Sequence, residues 1–562
     1  MYYPANFPKQ FEPSLVSLLF LLQNEWKNSA QKKQYDWQKL IRKKIKEEPF
    51  KTIFQGKMPS FWWLQFILYR HEDNFESQFI EHIHTTLIKT KIRSISGVVP
   101  LTLFTKGVAC PFHCVYCPSE PGMPKSYLSD EPAVMRAIRN KFEPFAQIES
   151  RLIMFALSNH AIDKVEVIIK GGTFSFLPRR YRTHFIKKIF EGCNTDTLRM
   201  LKSGNKNHST SSSLETAQVQ NESAPSRVIG INIETRPDYI DAKEITYLRK
   251  LGVTHVELGV QTLCDEIYQV IKRGHQVDAV IHATQLLKDA GFKIGYHLML
   301  NLPGATPDTD ALMLREVFTN SQFQPDHLKL YPTTVTKHTQ LAQWYQQGKY
   351  NPYPLQDLIQ TIIEFKKEIV PPWVRIGRLT RDITTTMMDA QLFPPNLREM
   401  VQDEMMKLHI HCNCIRCREI QLEKPSLPIS TRVLSYESAG GKEFYIEKID
   451  AEKKCLGFIR LRLPSFLFDA KMKPIFPVLK DAGIIRELHV YGKAMEIGEI
   501  DRTSTQHKGL GETLLELAEE TAKKEGVNKL AIISGIGVRE YYRKKGYTLK
   551  EGYMIKHLTT HH

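Results

Sequence analysis

The sequence predicts an α/β protein in which a complete or partial βα barrel is followed by a second, separate α/β domain. Short apolar runs alternate with amphipathic helical segments up to about residue 332, the pattern changes after Pro371 and Pro372, and new strand-like runs begin near Ile429. Strands that are apolar on both faces and are joined by helices pack as a parallel sheet. At 562 residues, the chain is long enough for two or three domains.

The barrel is predicted from a series of apolar runs. These runs are residues 164–172, 227–238, 252–261, 292–304 and 326–332. The helical patterns at 241–252 and 278–291 both end in glycine, as helices commonly do. Residues 195–226 are rich in Ser, Asn and Thr and interrupt the alternation, so we expect an unpacked, mobile surface insertion there.

Barrels of this kind carry their chemistry at the C-terminal ends of the strands, and this sequence places uncommon residues there. They are Gly171, Gly172, Thr173, Glu234, Arg236 and Gln261. From the residues alone, a tight turn between a strand and a helix is the favoured explanation of the glycine pair. Glu234 with Arg236 is also consistent with a plain ion pair that closes a strand end.

A short loop before the first of these runs contains Cys110, Cys114 and Cys117 at CxxxCxxC spacing. Three thiolates so close in the chain can face one metal centre. An all-cysteine iron–sulfur cluster takes four thiolates, and no fourth cysteine lies nearby, so one iron is left open for a small molecule. The alternative is a structural zinc loop that His113 completes.

A second cysteine group, Cys412, Cys414 and Cys417, predicts a structural zinc site that stabilises a linker between two domains. His411 is a candidate fourth ligand. A catalytic zinc is not favoured, because the nearby acids and bases form no water-activating set.

The cysteine usage predicts a reducing compartment, since six of the nine cysteines fall in the two groups. The apolar run at residues 15–22 is too short to span a bilayer, and no basic region precedes it. We therefore expect a soluble, cytoplasmic protein without a membrane partner.

The charge balance favours a polyanionic partner. Lys and Arg number 77 against 61 Asp and Glu, which gives a net charge of +16 and a pI near 9.2. The candidate RNA-contacting residues are Lys39, Arg42, Lys43, Lys44, Lys89, Lys91 and Arg93. A solvated basic helix face with a few core anchors is the alternative interpretation of the same residues.

The second domain contains a glycine turn that leads directly into an amphipathic helix. The turn is Gln506 to Gly511, and Leu510, Leu514 and Leu517 line one side of the helix. Backbone N–H groups and the positive end of the helix dipole at such a turn bind anions, here most simply a pyrophosphate.

Both modules resemble known families. The cysteine loop and the glycine pair in KVEVIIKGGTF resemble those of the radical S-adenosylmethionine (SAM) enzymes, and the QHKGLG turn with YYRKKGY resembles the GNAT acetyltransferases. Their combination, with IETRPDY, ELGVQT, RELHVYG and other segments, resembles the family of the Elongator catalytic subunit, in a compact bacterial-like form. Members of that family modify the wobble uridine of tRNA.

This resemblance implies a domain arrangement. Residues 1–90 form a basic helical region that binds tRNA, and 91–370 form a radical SAM barrel with a 4Fe–4S cluster. Residues 371–428 form the linker with the zinc site, and 429–562 form a GNAT domain that binds acetyl-CoA. We expect the two active sites to face a cleft between the barrel and the GNAT domain.

The resemblance also implies the reaction and its residues. A SAM-derived radical acts on the acetyl methyl of acetyl-CoA, and the product is 5-carboxymethyluridine in the anticodon stem-loop. The implied SAM-binding residues are the six at the strand ends. The implied catalytic residues are Tyr541 and Tyr542, of which Tyr542 would protonate the leaving thiolate and Tyr541 is the likelier core tyrosine. The implied acetyl-CoA-binding residues are Lys164, Glu487, Leu488, His489, Val490, Gln506, Lys508, Gly509, Leu510, Gly511 and Tyr541. A homodimer and accessory Elongator-like subunits are the candidate assemblies.

Two other functions fit part of the sequence. One is a protein lysine acetyltransferase with a structural iron–sulfur cluster, and the other is a non-enzymatic RNA-binding scaffold. The first needs a base near the thioester, and no acidic residue stands at a convincing position. The intact cysteine, glycine and CoA motifs argue against the second.

Overall fold

The structure is a computed structural model that describes residues 3–4, 7–29, 36–86, 97–108, 110–205, 207–381, 383–390, 392–421, 423–492 and 509–558. It divides into two compact units. The first comprises Met1–Leu101, Glu143–Glu166 and Lys187–Val228, and the second comprises Thr102–Phe142, Val167–Ile186 and Ile229–His562.

The helices of the described residues are α1 (Glu12–Lys27), α2 (Trp37–Lys44), α3 (Phe50–Phe54), α4 (Phe61–Arg70), α5 (Ser77–Thr86), α6 (Pro132–Arg139), α7 (Pro144–Ala156), α8 (Arg179–Asn194), α9 (Thr197–Ser203), α10 (Leu214–Asn221), α11 (Ala242–Leu251), α12 (Asp265–Val270), α13 (Val277–Asp289), α14 (Pro307–Thr319), α15 (Gln340–Gln346), α16 (Leu355–Glu364), α17 (Leu397–Lys407), α18 (Ile415–Arg418), α19 (Leu510–Lys524) and α20 (Arg539–Arg543). The strands are β1 (Val98–Phe104), β2 (Lys164–Lys170), β3 (Arg227–Thr235), β4 (His255–Gln261), β5 (Lys293–Leu300), β6 (His327–Pro332), β7 (Val335–Thr336), β8 (Arg375–Arg378), β9 (Met388–Ala390), β10 (Ser430–Ser438), β11 (Gly441–Ile449), β12 (Cys455–Leu463), β13 (Gly483–Val490), β14 (Lys529–Ile532), β15 (Thr548–Lys550) and β16 (Tyr553–His557).

In the first unit, the apolar run near the N-terminus is the buried face of α1. Leu15, Leu18, Leu19 and Leu22 have no exposed surface, and their spacing puts them on one side of the helix. None of the helices that the structure describes has both the length and the apolar content that crossing a bilayer requires.

The Ser-rich segment 195–226 is packed, so the expectation of an unpacked insertion was wrong. It contains α9 and α10, and Asn221 is fully buried. The Asn221 amide donates to Asn194 Oδ1 at 2.7 Å, and its oxygen accepts from the Val228 N–H at 2.7 Å. Because its polar side chains bond one another and the backbone, the segment packs despite its low apolar content.

The predicted parallel sheet is present as an open, curled sheet with the order β1-β2-β3-β4-β5-β6-β8. The pairs β3–β4, β4–β5, β5–β6 and β6–β8 are parallel. One face is apolar and buried, as in Val256, Leu258 and Val260 of β4. Contrary to the expectation, the concave face is polar. Side chains of β2 and β6 both reach Glu257 of β4 across it.

The second sheet has the order β10-β11-β12-β13-β14-β16-β15. Only β13 and β14 pair in parallel among its described ladders, and α19 lies between them in the chain. The buried face of α19, with Leu514, Leu515, Ala518 and Ala522, packs on this sheet. The β13–β14 pairing covers only Gly483–Ile485, because β14 ends at Ile532, whereas β13 continues to Val490.

Buried ion pairs attach the second sheet to the N-terminal ends of the barrel strands. Arg486 of β13 binds both carboxylate oxygens of Asp326, directly before β6, at 2.6 and 2.8 Å. Arg462 of β12 binds Asp289, at the end of α13, at 2.5 Å. The cysteine loop follows β1 at the opposite end of the barrel. Among the described residues, these charge pairs therefore place the second sheet at the end of the barrel opposite the cysteine loop.

Candidate functional site

The first cysteine group lies in the loop that follows β1. Cys114 is almost fully buried, and Cys110 and Cys117 are half-buried. Burial and the neighbouring Cys114 raise the pKa of the Cys117 thiol to about 11. In the part of the chain that the structure describes, these sulfurs do not form a set within 4.8 Å of one another. That spread suits a cluster, in which each thiolate binds a different iron, better than one tetrahedral zinc.

Backbone and side-chain contacts hold this loop in place. The Val115 N–H donates to the Ile271 carbonyl at 3.1 Å, and the Val115 carbonyl accepts from the Leu341 N–H at 2.8 Å. Arg273 is buried and donates from Nη1 to Cys114 Sγ at 3.6 Å. A guanidinium beside a thiolate stabilises its negative charge, as cluster ligation requires.

Arg236 lies against the same loop and retains an unused donor. Its guanidinium stacks 3.4 Å from the centre of the Phe112 ring, and Nε and Nη2 each donate to Asp238 at 2.9 Å. Nη1 is buried and has no hydrogen-bonding partner among the described residues. A buried donor next to the cysteine loop fits an anionic group of a bound ligand, such as the carboxylate of SAM.

The glycine pair after β2 has a conformation that requires glycine. Gly171 and Gly172 have φ of +134° and +90°, and a Cβ on Gly171 would clash with Thr105 Oγ1. Thr105 Oγ1 is itself buried without a partner in the described chain. Thr173 follows directly after the glycine pair. Gln261 has φ of +75° and ends β4, which is separated from β2 by one strand, β3, in the sheet order. The backbone is thus open to close approach by a ligand.

Glu257 is the hub of a charged cluster on the concave face. It accepts from Lys170 at 2.6 Å, from His297 at 2.7 Å and from Asn232 at 2.9 Å, and it pairs with Lys329. Burial opposes its ionisation, but Lys170 and Lys329 hold the pKa of Glu257 well below its usual range. Four strands therefore contribute to one fixed carboxylate.

Glu234 belongs to this cluster and not to an ion pair with Arg236, so the ion-pair alternative was wrong. It accepts from the Tyr127 hydroxyl at 2.6 Å and pairs with Lys170, whereas Arg236 pairs with Asp238. Burial opposes ionisation of Glu234, and Lys170 lowers its pKa nonetheless.

The cluster also resembles a metal site, because oxygen and nitrogen atoms of Glu234, Glu257 and His297 lie within 4.8 Å of one another. The ammonium groups of Lys170 and Lys329 already supply the positive charge there. Sequence reasoning missed Lys170, Glu257 and His297 as site residues. Polar residues alternate with apolar ones along these runs, and this alternation could have identified the three residues as members of one polar face.

In the second sheet domain, the glycine turn brings Tyr541 to the start of α19. Gly509 has φ of +69°, and a Cβ on Gly511 would lie 3.2 Å from the Tyr541 hydroxyl oxygen. Tyr541 is 37% exposed, whereas Tyr542 is 7% exposed and packs in the core beside α19. Burial raises the pKa of both phenols, so both remain protonated at neutral pH.

The predicted CoA strand, Glu487 to Val490, is the part of β13 beyond its pairing with β14. Leu488 and Val490 pack on the core that includes α19. Glu487 lies on the other face and accepts from Lys293 at 3.0 Å and from Arg460 at 2.8 Å. Burial lowers the pKa of His489 to about 4, so its ring is uncharged at neutral pH.

Two further residues of the predicted acetyl-CoA site lie in different elements. Lys164 begins β2 and is half-buried, and Leu510 begins α19 and packs on the second core. The predicted site residues that lie outside the described residues are Lys89, Lys91, Arg93, Gln506 and Lys508.

The second cysteine group converges as predicted for a metal site. The sulfurs of Cys412, Cys414 and Cys417 lie within 4.8 Å of one another, and Cys414 is fully buried at the start of α18. His411 is exposed and is not part of this set. Three converging thiols match the donor set of structural zinc.

The described RNA-contacting candidates lie on α2. Lys39, Arg42 and Lys43 are exposed and line a shallow depression of about 660 Å³. Lys44 differs, because it pairs with Glu25 at 2.9 Å and Glu47 at 3.2 Å. Its charge is therefore largely neutralised within the protein.

Comparisons with family models agree with the barrel. Residues 105–315 match the model of the Radical SAM superfamily, and residues 325–407 match that of the Radical_SAM C-terminal domain.

Similar proteins extend over most of the chain. A tRNA uridine(34) acetyltransferase of Dehalococcoides mccartyi (strain CBDB1) is 41% identical over 481 residues, covering 84% of this chain and 100% of that protein. Elongator complex protein 3 of Homo sapiens is 36% identical over 485 residues, covering 83% and 85%. The solved structure of Methanocaldococcus infernus Elp3 with an N-terminal deletion is 36% identical, with a TM-score of 0.69, and covers 83% of this chain and 100% of that one.

Proposed function

Because this chain belongs to the family of the tRNA uridine(34) acetyltransferases and Elongator complex protein 3, we propose that it modifies the wobble uridine of tRNA by radical SAM chemistry. The observation that carries this conclusion is the 41% identity over the whole length of the Dehalococcoides mccartyi protein. These relatives do not favour the protein lysine acetyltransferase alternative. Residues 91–370 act as the radical SAM barrel and 429–562 as an acetyl-CoA-binding GNAT domain, with residues 1–90 binding tRNA and 371–428 as a zinc linker.

Cys110, Cys114 and Cys117 hold the 4Fe–4S cluster in this proposal. When bound, the cluster supplies the electron that cleaves SAM to a carbon radical. Arg273 stabilises the Cys114 thiolate, and the unused Nη1 of Arg236 binds the SAM carboxylate. Gly171, Gly172 and Thr173 allow the ligand to approach the backbone, and Glu234 and Gln261 line the same end of the barrel.

Acetyl-CoA is the carbon donor, and 5-carboxymethyluridine is the product. The free part of β13 supports this, because Glu487 to Val490 extend beyond its pairing with β14 and the first turn of α19 presents backbone N–H groups to a pyrophosphate. Lys164, Gln506, Lys508, Leu510 and Gly511 complete the proposed acetyl-CoA site. The acetyl methyl would lose a hydrogen atom to the SAM-derived radical, which becomes 5′-deoxyadenosine, and the resulting carbon radical would add to C5 of uridine. The adduct would lose the C5 proton and one electron, which the oxidised cluster could accept, and hydrolysis of the thioester would release CoA and leave the carboxymethyl group.

The assay that tests this function uses anaerobically reconstituted protein with SAM, reductant, acetyl-CoA and tRNA. Nucleoside mass spectrometry should detect 5-carboxymethyluridine only when every component is present. Acetylated lysine peptides with unmodified tRNA would instead support the lysine acetyltransferase alternative.

We expect Tyr541→Phe to slow acetyl-CoA turnover by about 10²-fold while the Kd for acetyl-CoA stays unchanged. Its hydroxyl faces Gly511 at the start of α19, where it can protonate the leaving thiolate. Tyr542→Phe is the matched variant, because Tyr542 packs in the core and its phenol is 7% exposed. Thiol release measured by a colorimetric reagent checks both. An equal loss in both variants would show that the two tyrosines act together.

The zinc site predicts that Cys414→Ser protein contains no zinc, whereas wild-type protein contains about one equivalent. Removal of one of three converging thiolates leaves too few ligands for tight binding. Elemental analysis of purified protein measures the metal. Cys264→Ser is the control, because Cys264 lies outside both cysteine groups and should leave the zinc content unchanged.

The basic face of α2 predicts weaker tRNA binding when its charge is reversed. Changing Lys39, Arg42 and Lys43 together to Glu should lower tRNA affinity about tenfold or more and reduce the salt slope by about two to three. Filter binding at several salt concentrations measures both. The charge-matched control changes the exposed Lys523, Lys524 and Lys550 to Glu. Equal weakening in the control would contradict a tRNA contact at α2.

A further inference from the structure

The lumen, which is the concave side of the barrel sheet, contains a charged cluster of five side chains. Its members are Lys170, Glu234, Glu257, His297 and Lys329. Lys170 is the last residue of β2 and directly precedes the glycine pair. Tyr127, which follows the cysteine loop in the chain, donates to Glu234 at 2.6 Å. The cluster therefore lies next to the proposed SAM site.

Solvent reaches this cluster from the lumen. The side chains of Lys170, His297 and Lys329 are 11%, 15% and 17% exposed. Tyr296 and Leu298, the neighbours of His297 on β5, point to the other face of the sheet and are fully buried. Because the outer face is covered, the exposed surface of the cluster faces the lumen and is available to a bound molecule.

His297 has one ring nitrogen that is bound and one that is not. Nε2 lies 2.7 Å from Glu257 Oε2, and Nδ1 has no hydrogen-bonding partner among the described residues. An ionised carboxylate only accepts hydrogen bonds, so Nε2 carries the hydrogen. Burial and Lys329 lower the pKa of His297, so its ring is uncharged at neutral pH. Nδ1 of such a ring has a lone pair to offer.

Glu234, Glu257 and Lys329 are poor proton acceptors at neutral pH. Burial opposes ionisation of the two carboxyl groups, but Lys170 lowers the pKa of both, which makes them weak bases. Burial also opposes the charge of Lys329, but Glu257 raises its pKa, so the ammonium group keeps its proton. A general base works best when its pKa lies near the working pH. Among these groups, His297 is therefore the best proton acceptor.

The proposed reaction requires a proton acceptor at the uridine. When the carbon radical adds to C5, the unpaired electron moves to C6, and C5 keeps its hydrogen. The unpaired electron must then leave to an acceptor, here the oxidised iron–sulfur cluster, and the C5 hydrogen must leave as a proton. The bonding pair of the C5–H bond thereby becomes the C5–C6 double bond of the product.

We propose that Nδ1 of His297 accepts the C5 proton of the wobble uridine, while Glu257 holds the imidazole ring through Nε2. The inference rests on the proposed function and deepens it, because it assigns the step that restores the aromatic base. His297 is a catalytic residue in this account, and Glu257 is a positioning residue. Glu257 and Glu234 offset the charge of the imidazolium until its proton passes to solvent.

His297→Gln tests the base. The glutamine amide can still donate to Glu257 but has no basic nitrogen. The protein is combined anaerobically with SAM, reductant, acetyl-CoA and tRNA, and mass spectrometry measures 5′-deoxyadenosine and modified uridine. We expect 5′-deoxyadenosine formation to continue, and the ratio of modified uridine to 5′-deoxyadenosine to fall by about 10²-fold. A wild-type ratio in the variant would overturn the inference.

His327→Gln is the matched control. His327 lies on the neighbouring strand β6 and on the same face as Lys329, but it is level with Gly295, two residues further from the cysteine end than His297. This variant should keep the wild-type ratio. An equal loss in both variants would overturn the inference, because the two histidines would then act through the packing of the lumen.

Deuterium at C5 of the tRNA uridines separates a chemical defect from a structural one. If proton removal is slow in His297→Gln protein, deuteration should lower its ratio severalfold further, whereas the wild-type ratio should change little. The deuterium should appear in solvent and not in 5′-deoxyadenosine, because it leaves as a proton. A ratio in the variant that does not respond to deuteration would contradict the role of His297 as the base.

The pH dependence of the wild-type ratio is a test that needs no variant. The titratable groups around His297 are Lys170, Glu234, Glu257, Lys329 and Tyr331. An imidazolium cannot accept a proton, so the ratio should fall as the pH decreases below about 6.5. The carboxyl groups titrate at lower pH because their pKa values are lowered, and burial raises the pKa of Tyr331. A ratio that stays constant from about pH 8 to 5 would overturn the inference.

Glu257→Gln tests the positioning role with the same measurement. The imidazolium would lose its carboxylate partner, so the fall of the ratio should move to lower pH. An unchanged pH profile would show that Glu257 does not act through His297.

The proposed function and this inference fail in different ways. If the wild-type protein forms no 5-carboxymethyluridine, the proposed function is wrong. If it does, and His297→Gln protein keeps the wild-type ratio, only the assignment of the base is wrong.

Discussion

Cys114→Ser protein is expected to lose tRNA modification by about a thousandfold or more, while its affinity for acetyl-CoA stays unchanged. Cys114 is the most buried thiol of the first group and receives the hydrogen bond from Arg273. A serine hydroxyl is not a thiolate, so the loop would keep only two of its three sulfur ligands. Iron content, 5′-deoxyadenosine formation and isothermal calorimetry with acetyl-CoA measure the three consequences.

Cys193→Ser serves as the control, because Cys193 is buried in α8 and lies outside both groups. It should retain iron and activity even if it is less stable. Full activity of Cys114→Ser protein would contradict the role of this loop. Joint loss of acetyl-CoA binding would mean that the substitution disrupts the fold and not only the cluster.

Arg486→Met protein is expected to be less stable by about 3–5 kcal/mol. The Arg486 side chain has no exposed surface and bonds Asp326 and Glu443, so its removal leaves two carboxylates buried with less compensation. Urea unfolding of the purified protein measures the change. Lys407→Met is the control, because Lys407 is 72% exposed in its pair with Glu404, and pairs of that kind contribute less than about 1 kcal/mol.

The ion pair of Arg486 with Asp326 also predicts how the stability of the protein depends on pH. Burial opposes ionisation of Asp326, but Arg486 and Arg460 hold its pKa well below the usual range. A group with a lowered folded pKa stabilises the fold above its unfolded pKa, which is about 3.9, and this contribution is lost as the pH falls further. Unfolding free energies measured between pH 6 and 3 should therefore decrease towards acid in the wild type. An increase over that range would contradict the assigned ion pair.

The sequence allowed the parallel sheet and the converging second cysteine group to be predicted, because both depend on local patterns. Apolar runs with helices between them determine a parallel sheet, and CxCxxC spacing confines Cys412, Cys414 and Cys417 to a few turns of chain. The same local reasoning failed for 195–226. There the buried hydrogen bonds of Asn221, and not apolar content, determine the packing.

The lumen and the position of the second sheet could not be read from the sequence. Lys170, Glu257, His297 and Lys329 are far apart in the chain, and only the curl of the sheet brings them together. The runs that contain them look apolar because the outward-facing residues dominate their composition. The docking of the second sheet depends on charge pairs such as Arg486 with Asp326, which join residues about 160 positions apart and have no local signature.

The measurement that tests the central claim most directly uses acetyl-CoA with a fully deuterated acetyl methyl group. The protein, SAM, reductant and tRNA are combined anaerobically, and the 5′-deoxyadenosine and the nucleosides are analysed by mass spectrometry. The account predicts one deuterium in 5′-deoxyadenosine and two in the methylene group of 5-carboxymethyluridine. Unlabelled 5′-deoxyadenosine together with unlabelled modified uridine would show that the SAM-derived radical does not act on the acetyl group, and would contradict the account.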